Sequence, residues 1–478
     1  MKQVKIQKFS MPARRTQLLA AASAFVLLTG CAVSPVYEVP TAAAPQAFKE
    51  AAGWQPAAPA DTLERGPWWT LFGDAQLNAL ADSVEVSNQN VAAAIASYEQ
   101  ARALVREQRA SLFPSVTLNG SGTRSGGGGE QQTSNSYRAS LGTSWEPDVW
   151  GKLRAGVTGA DASAAASAAD LAAARLSAQG ELATNYFSLR QSDAQIALLN
   201  TTIEGYRRVL DITSNRFNSG IAAKSDLLQA QTQLANAQID LSSQVRQRAQ
   251  LEHAIAILVG KAPADFSLAA APWTLTVPEV PLGVPSTLLQ RRPDIAAAER
   301  RVALANEQIG IARSAYYPSI NLTGSYGSNA SRVGDLFNAS TSLWSLGVSA
   351  AQTLFNAGAT TASVDAAKAS HEAAVARYRQ TVLSAFGAVE DQLSATRALA
   401  EQLDLRRQAS NAADQVEQQM LNRYNAGQVG YTDVVNAQVT ALSARRQLVQ
   451  AQADRQTTAV ALIQALGGGW QAAPVTTQ

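Results

Sequence analysis

From Asp74 to Leu112 the apolar residues fall at helical spacing, with Leu77, Leu80, Val84, Val91, Ile95 and Tyr98 recurring every three, four or seven positions and no proline or glycine between them. The pattern predicts one helix, about 58 Å long at about 1.5 Å per residue, and Pro114 ends it. The period then changes from helical to alternating. Val116 and Leu118 alternate with Ser115, Thr117 and Asn119. After Gly126 to Gly129, Tyr137, Ala139, Leu141, Thr143 and Trp145 alternate with Arg138, Ser140, Gly142 and Ser144. Two such runs around a glycine-rich loop predict a β-hairpin. A second hairpin carries Ile320, Leu322, Gly324 and Tyr326 on one strand and Trp344, Leu346, Val348 and Ala350 on the other.

Each hairpin is followed by the longest helical patterns in the chain. Lys152 to Phe217 has no proline and would extend about 100 Å, and after a turn at Ser219-Gly220 the span Ser225 to Val259 returns for about 50 Å. Thr360 to Tyr424 and Thr432 to Leu466 repeat this plan. Helices of such length exceed those of globular domains and point to coiled-coil packing. Small residues such as those from Ala162 to Ala169 let backbones approach closely and keep a helical wall thin.

The repetition extends to sequence. Phe113-Pro114-Ser115-Val116-Thr117-Leu118-Asn119-Gly120-Ser121 returns about 204 residues later as Tyr317-Pro318-Ser319-Ile320-Asn321-Leu322-Thr323-Gly324-Ser325. Asn215-Arg216-Phe217-Asn218-Ser219-Gly220 returns as Asn422-Arg423-Tyr424-Asn425-Ala426-Gly427, with Asp226 matching Asp433 and Gln231 matching Gln438. Each half closes alike, at Leu258-Val259-Gly260 and Ala465-Leu466-Gly467. Three matches in one order identify a tandem of two copies of one structural unit.

Charge and cysteine usage narrow the setting. Of 39 basic residues, Lys2, Lys5, Lys8, Arg14 and Arg15 precede Cys31, and no acidic residue does, so the chain without that segment is acidic by about three charges. Nucleic acid is therefore not an expected partner. The basic stretch, the apolar run Leu18 to Leu28 and Leu28-Thr29-Gly30-Cys31 read as a secretory signal ending in a bacterial lipobox, the run being too short to span a bilayer. Cys31 is the expected lipid-attachment residue, and Ala32 after it fits outer-membrane sorting. A single cysteine excludes an intramolecular disulfide framework.

Four strands of about ten residues, each with one apolar face and with Phe113, Trp145, Tyr316, Tyr317 and Trp344 near their ends, fit membrane-spanning strands with interfacial aromatic girdles. An open four-stranded sheet cannot stand in lipid, because its edge N–H and C=O groups lack partners. Several chains must pool strands, and three would give twelve. Catalysis finds no support. His253 and His371 stand alone in helices without carboxylate or cysteine companions, and Gly126 to Gly129 lacks the lysine and strand–turn–helix setting of a phosphate loop. No enzyme activity, metal or cofactor is expected beyond the lipid on Cys31.

The lipobox, the twin hairpins and the Asn-Arg-Phe/Tyr-x-x-Gly…Asp turns together resemble the TolC-like outer-membrane factor family, and the lipidated N-terminus resembles its OprM and NodT branch. The resemblance covers nearly the whole chain after Cys31. It implies a mainly α fold with membrane β: a trimeric 12-stranded outer-membrane β-barrel continuing into a periplasmic α-helical barrel. Residues 1–30 would be the signal peptide, 31–73 an N-terminal anchor and equatorial segment, and 74–260 the first repeat with its hairpin at 115–147 and tip near 218–225. Residues 261–285 would be an equatorial linker, 286–466 the second repeat with its hairpin at 319–352 and tip near 425–432, and 467–478 a C-terminal equatorial tail. The implied role is the passive exit duct of a tripartite efflux pump, with a periplasmic adaptor, an inner-membrane RND-type pump and outer-membrane lipid as partners. The exit duct of a type I protein secretion system and, in a different class, a structural coiled-coil surface lipoprotein are the competing readings.

By the same resemblance Asp226, Tyr424, Val429, Asp433 and Asn436 belong to a periplasmic gate, and Arg216, Gly220, Arg423 and Gly427 to a tip turn that contacts the adaptor. Val429 and Asn436 depart from relatives that carry an arginine and a second aspartate there, which favours an apolar over a polar closure. From the residues alone, Asp226 and Asp433, with Gln229 and Asn436 three positions on, also fit helix N-caps. Arg216 and Arg423 fit either caps for carbonyls of the descending helices or partners for aspartate.

Overall fold

The two repeats share the lengths of their three principal helices. In the computed structural model, which describes residues 33–42, 45, 47–50, 67–127, 133–273, 275–278 and 292–468, the first repeat comprises α1 (Ala75–Ser87), α2 (Gln89–Ala110), β1 (Ser115–Ser125), β2 (Ser134–Trp145), α3 (Lys152–Asn218) and α4 (Lys224–Leu258). The second comprises α5 (Pro293–Ser314), β3 (Ser319–Ala330), β4 (Ser342–Ala351), α6 (Ala359–Asn425) and α7 (Tyr431–Ala465). Helices α2 and α5 each have 22 residues, α3 and α6 each 67, and α4 and α7 each 35. The signal sequence, Cys31 and Ala32 lie outside the described residues, as do Gly128, Gly129 and parts of 31–73, 261–285 and 467–478. No described helix is long and apolar enough to cross a membrane.

One expectation needs correcting. The single helix expected from Asp74 to Leu112 is two, divided at Asn88. Asn88 has extended backbone angles, its Oδ1 accepts from the N–H groups of Asn90 (2.9 Å) and Val91 (3.1 Å), and its Nδ2 donates to the carbonyl of Leu258 (2.8 Å). An asparagine that caps one helix while serving the end of another offers the backbone more than an unbroken ladder would.

All four long helices end in the same way. A glycine with φ between +71° and +89° follows the residue after each helix, at Gly220, Gly260, Gly427 and Gly467. In each case its N–H and that of the next residue bond back into the last turn, as in Gly220 to Phe217 (2.9 Å) and Ile221 to Arg216 (2.8 Å). This is the Schellman arrangement, which needs a left-handed residue where glycine pays no Cβ penalty.

The chain divides into two compact units. One contains the N-terminal segment to Pro40 with residues 99–166 and 299–377, and so holds the sheet. Its strand order is β1-β2-β3-β4, all antiparallel, leaving β1 and β4 as edges. The register aligns Leu118, Leu141, Tyr326 and Trp344 in one cross-strand row, and Val116, Thr143, Gly324 and Leu346 in the next. The opposite face carries Thr117, Gly142, Ser325 and Ser345, then Ser121, Arg138 and Asn329. The apolar face is open to its surroundings, with Leu118 at 78 % and Leu346 at 81 % exposure.

The other unit holds residues 41–98, 167–298 and 378–478. Its core includes Phe72, Leu77, Leu182, Tyr186 and Phe187, all buried, with the rings of Phe72 and Phe187 4.9 Å apart. Inside it Arg190, 2 % exposed, donates to Asp193 (2.8 Å) and to the carbonyl of Ala269 (2.9 Å), and its guanidinium lies 4.9 Å from the Tyr186 ring centre. Arg248 donates to the other oxygen of Asp193 (2.6 Å). Burial, reinforced by a hydrogen bond to Asp74, pushes the Tyr186 hydroxyl up to about 12, against the opposing pull of Arg190.

Candidate functional site

The residues singled out in the sequence cluster at the two turns joining α3 to α4 and α6 to α7. Both turns are built by the glycines just described, so Gly220 and Gly427 set the reversal at +74° and +72°. The returning helices start at Lys224 and Tyr431. Here the N-cap expectation is wrong. The caps are Ala223 and Gly430, without side-chain hydrogen bonds, and Asp226 and Asp433 sit inside the first turn, their N–H groups bonded to the cap carbonyls at 3.1 and 3.2 Å. In that position a carboxylate still meets the positive end of the helix dipole; Asp226 also accepts from the Ser225 hydroxyl (3.4 Å), while no hydrogen bond or ion pair engages the Asp433 carboxylate among the described residues. Asp226 is half-buried and Asp433 exposed.

Between the turns lies an apolar cluster of Val209, Ala230, Tyr424, Tyr431 and Val434, with Val429 and Met420 packed against it. Tyr424 is only 3 % exposed, so the tyrosine associated with the gate is enclosed by its own chain. Its hydroxyl finds no hydrogen-bond partner among the described residues. The Tyr424 and Tyr431 rings meet at 5.4 Å, and burial, followed by the neighbouring Tyr424, Tyr206 and Asp226, pushes the Tyr431 hydroxyl well above the usual phenol range.

The two arginines behave differently despite their matching positions. Arg216 donates to the main-chain carbonyl of Tyr424 (3.0 Å) and places its guanidinium 4.6 Å from that ring's centre. It therefore caps a carbonyl, as one of the two sequence readings has it, but on the helix of the other repeat. Cation–π contact of this kind contributes about 0.5–2 kcal/mol. Arg423 is exposed. Asp433 and Asn436 line an open groove of about 360 Å³ with Val416, Met420 and Thr440. A second groove of about 440 Å³ runs between α4 and α7, where Arg446 pairs with Asp240 at 2.8 Å.

Sequence reasoning did not single out Tyr431 or the Arg190–Asp193–Arg248 network. Tyr431 had a usable signal, an aromatic residue at the first position of a returning helix; the network had none, since Arg190 and Asp193 stand at ordinary i,i+3 helical spacing and Arg248 joins them from another helix. Among the described residues no group of His, Cys, Asp or Glu could hold a metal ion. The arrangement offers an exposed carboxylate, an amide and a tyrosine-rich apolar plug at a helix reversal, and no juxtaposed nucleophile and base.

Comparison with known proteins fits this layout. The model of the outer membrane efflux protein family matches the chain twice, over residues 80–261 and 284–468, one match to each repeat. The chain is 32 % identical over 463 residues to the probable efflux pump outer membrane protein TtgC of Pseudomonas putida, covering 95 % of this chain and 96 % of that one. It is 29 % identical over 448 residues to the cation efflux system protein CusC of Escherichia coli, covering 93 % and 97 %. A solved structure of the outer-membrane channel OprN superposes with a TM-score of 0.84 at 30 % identity, over 92 % of this chain and all of that one.

Proposed function

We infer from membership of the outer membrane efflux protein family, to which this chain belongs, that it is the outer-membrane channel of an efflux system. The observation that carries the reading is the sheet. Its edge strands β1 and β4 have no neighbour on their outer sides among the described residues, and one face presents Leu118, Tyr326, Trp344, Leu346 and Val348 uncovered. Apolar side chains on one face require lipid or protein over them, and open edges in lipid require closure. A homotrimer satisfies both: three copies supply twelve strands, β4 of one pairs with β1 of the next, and the Ser-, Thr- and Asn-rich face lines the lumen. That lining presents small hydroxyl and amide groups rather than a shaped pocket. Cargo selection therefore belongs to the pump that feeds the duct, and the duct performs no chemistry.

In this reading Cys31 carries the lipid anchor, the helices extend into the periplasm, and the turns at Gly220 and Gly427, with Arg216 and Arg423 beside them, meet a periplasmic adaptor that links the duct to an RND-type inner-membrane pump. The gate is the set Asp226, Val429, Asp433 and Asn436, backed by the Tyr424–Tyr431 plug. Three exposed Asp433 carboxylates around one axis would bias a narrow opening toward cations. Reconstitution of the purified lipoprotein into planar bilayers tests both levels. Heat-modifiable trimers and discrete channel events are expected, and a stable monomer that leaves the bilayer silent would overturn the channel. Asp433→Ala should raise conductance and weaken cation preference while leaving the trimer intact, since no hydrogen bond or ion pair engages the side chain among the described residues. Unaltered conductance and selectivity would remove Asp433 from the gate.

A further inference from the structure

A pocket of about 440 Å³ opens between the last turn of α5 and the first turns of α6, beside the helix-side end of the sheet. Arg313, Tyr316, Tyr317, Asp365, Lys368 and Val33 line it. Lys368 is paired with Asp365 at 3.2 Å, whereas no ion pair engages Arg313 among the described residues, so the pocket carries one uncompensated positive charge. Its aromatic wall is fixed. The Tyr316 hydroxyl donates to Thr361 (3.1 Å), Tyr317 stacks on Trp150 at 4.9 Å, and Trp150 donates to the carbonyl of Pro318 (2.7 Å) and accepts from the N–H of Val33 (3.3 Å).

The position of this pocket along the strands identifies its surroundings. Phe113, Trp145, Tyr316, Tyr317 and Phe355 are all exposed and all flank the helix-side ends of the strands, where an apolar face gives way to polar helices. Amphipathic rings concentrate at the headgroup level of a bilayer. Val33 stands two positions after Cys31, the residue that the channel reading above acylates. We propose that the pocket seats the phosphodiester headgroup of a periplasmic-leaflet phospholipid, with Arg313 holding the phosphate; this rests on the channel reading above. A guanidinium fork matches two phosphate oxygens at once, and unpaired basic side chains at a membrane interface are a recurrent means of holding lipid headgroups. The Lys368–Asp365 pair beside it is exposed enough to exchange partners with a headgroup that carries its own amine.

Lipid retention on the full-length, lipidated trimer tests this. The assembly is stripped in detergent and offered phosphatidylglycerol, phosphatidylethanolamine or inorganic phosphate, and bound phospholipid is counted by native mass spectrometry. Up to one tightly held phospholipid per chain is expected, weakened at least about tenfold in Arg313→Gln, partly restored in Arg313→Lys and unaffected by Arg102→Gln on α2. Equal retention by Arg313→Gln and the unaltered chain overturns the proposal. So does inorganic phosphate that displaces the phospholipid at equal concentration, which would make the pocket a free-anion site. Failure to form any membrane-inserted assembly would instead sink the channel reading, and is told apart by the absence of channel events in the unaltered chain.

Discussion

Leu346→Arg should abolish assembly of the channel while Ser345→Arg, one residue away, should not. Leu346 lies mid-strand in β4 on the apolar face, 81 % exposed, between Trp344 and Val348, whereas Ser345 pairs across to Ser325 on the polar face. An arginine facing lipid at the centre of a membrane strand costs about 2–4 kcal/mol, and a ring of identical copies incurs that cost once per chain. At position 345 the same side chain would project into a water-filled lumen, where it costs little. The measurement is the fraction of heat-modifiable trimer in outer-membrane extracts. If the two variants assemble equally, the assignment of faces is wrong and the membrane reading fails with it.

The second large effect is expected in the unit that does not hold the sheet. Arg190→Met should destabilise the second unit by about 3 kcal/mol, at the lower end of the range for breaking a buried ion pair. The substitution removes the bonds from Arg190 to Asp193, Gln76 and the carbonyl of Ala269, and leaves Asp193 buried with Arg248 as its remaining cation. That surviving partner is why the lower end applies. Arg446→Gln, which breaks a half-exposed pair with Asp240, should cost less, about 1 kcal/mol. Urea midpoints of the purified trimers compare the two. Equal shifts would mean that the buried network does not fasten the segment around Ala269 to α3.

The network also shows why some features were legible in the sequence and others were not. The duplication, the two hairpins and the long helices could be read to within a residue or two because each rests on a local cause. Alternation of two sets a strand, the 3.6-residue period sets a helix, and a glycine after the last turn sets the reversal, as Gly220 and Gly427 do in both copies. These signals act over about six residues and repeat when the sequence repeats. The need for partner copies was equally readable, because four strands with one apolar face cannot close by themselves.

What the tertiary structure decided is where matching residues part company. Arg216 and Arg423 occupy equivalent places in the repeats, yet Arg216 reaches the carbonyl and ring of Tyr424 while Arg423 stays exposed. Asp226 and Asp433 look like caps in sequence, but the helices begin three residues earlier, because Ala223 and Gly430 already have the extended backbone a cap requires. Asn88 divides one helical pattern in two because Leu258, 170 positions away, presents a carbonyl to its side chain. Periodicity along a chain fixes which residues form each element; partners brought together from distant positions fix what those residues do, and no local pattern encodes that meeting.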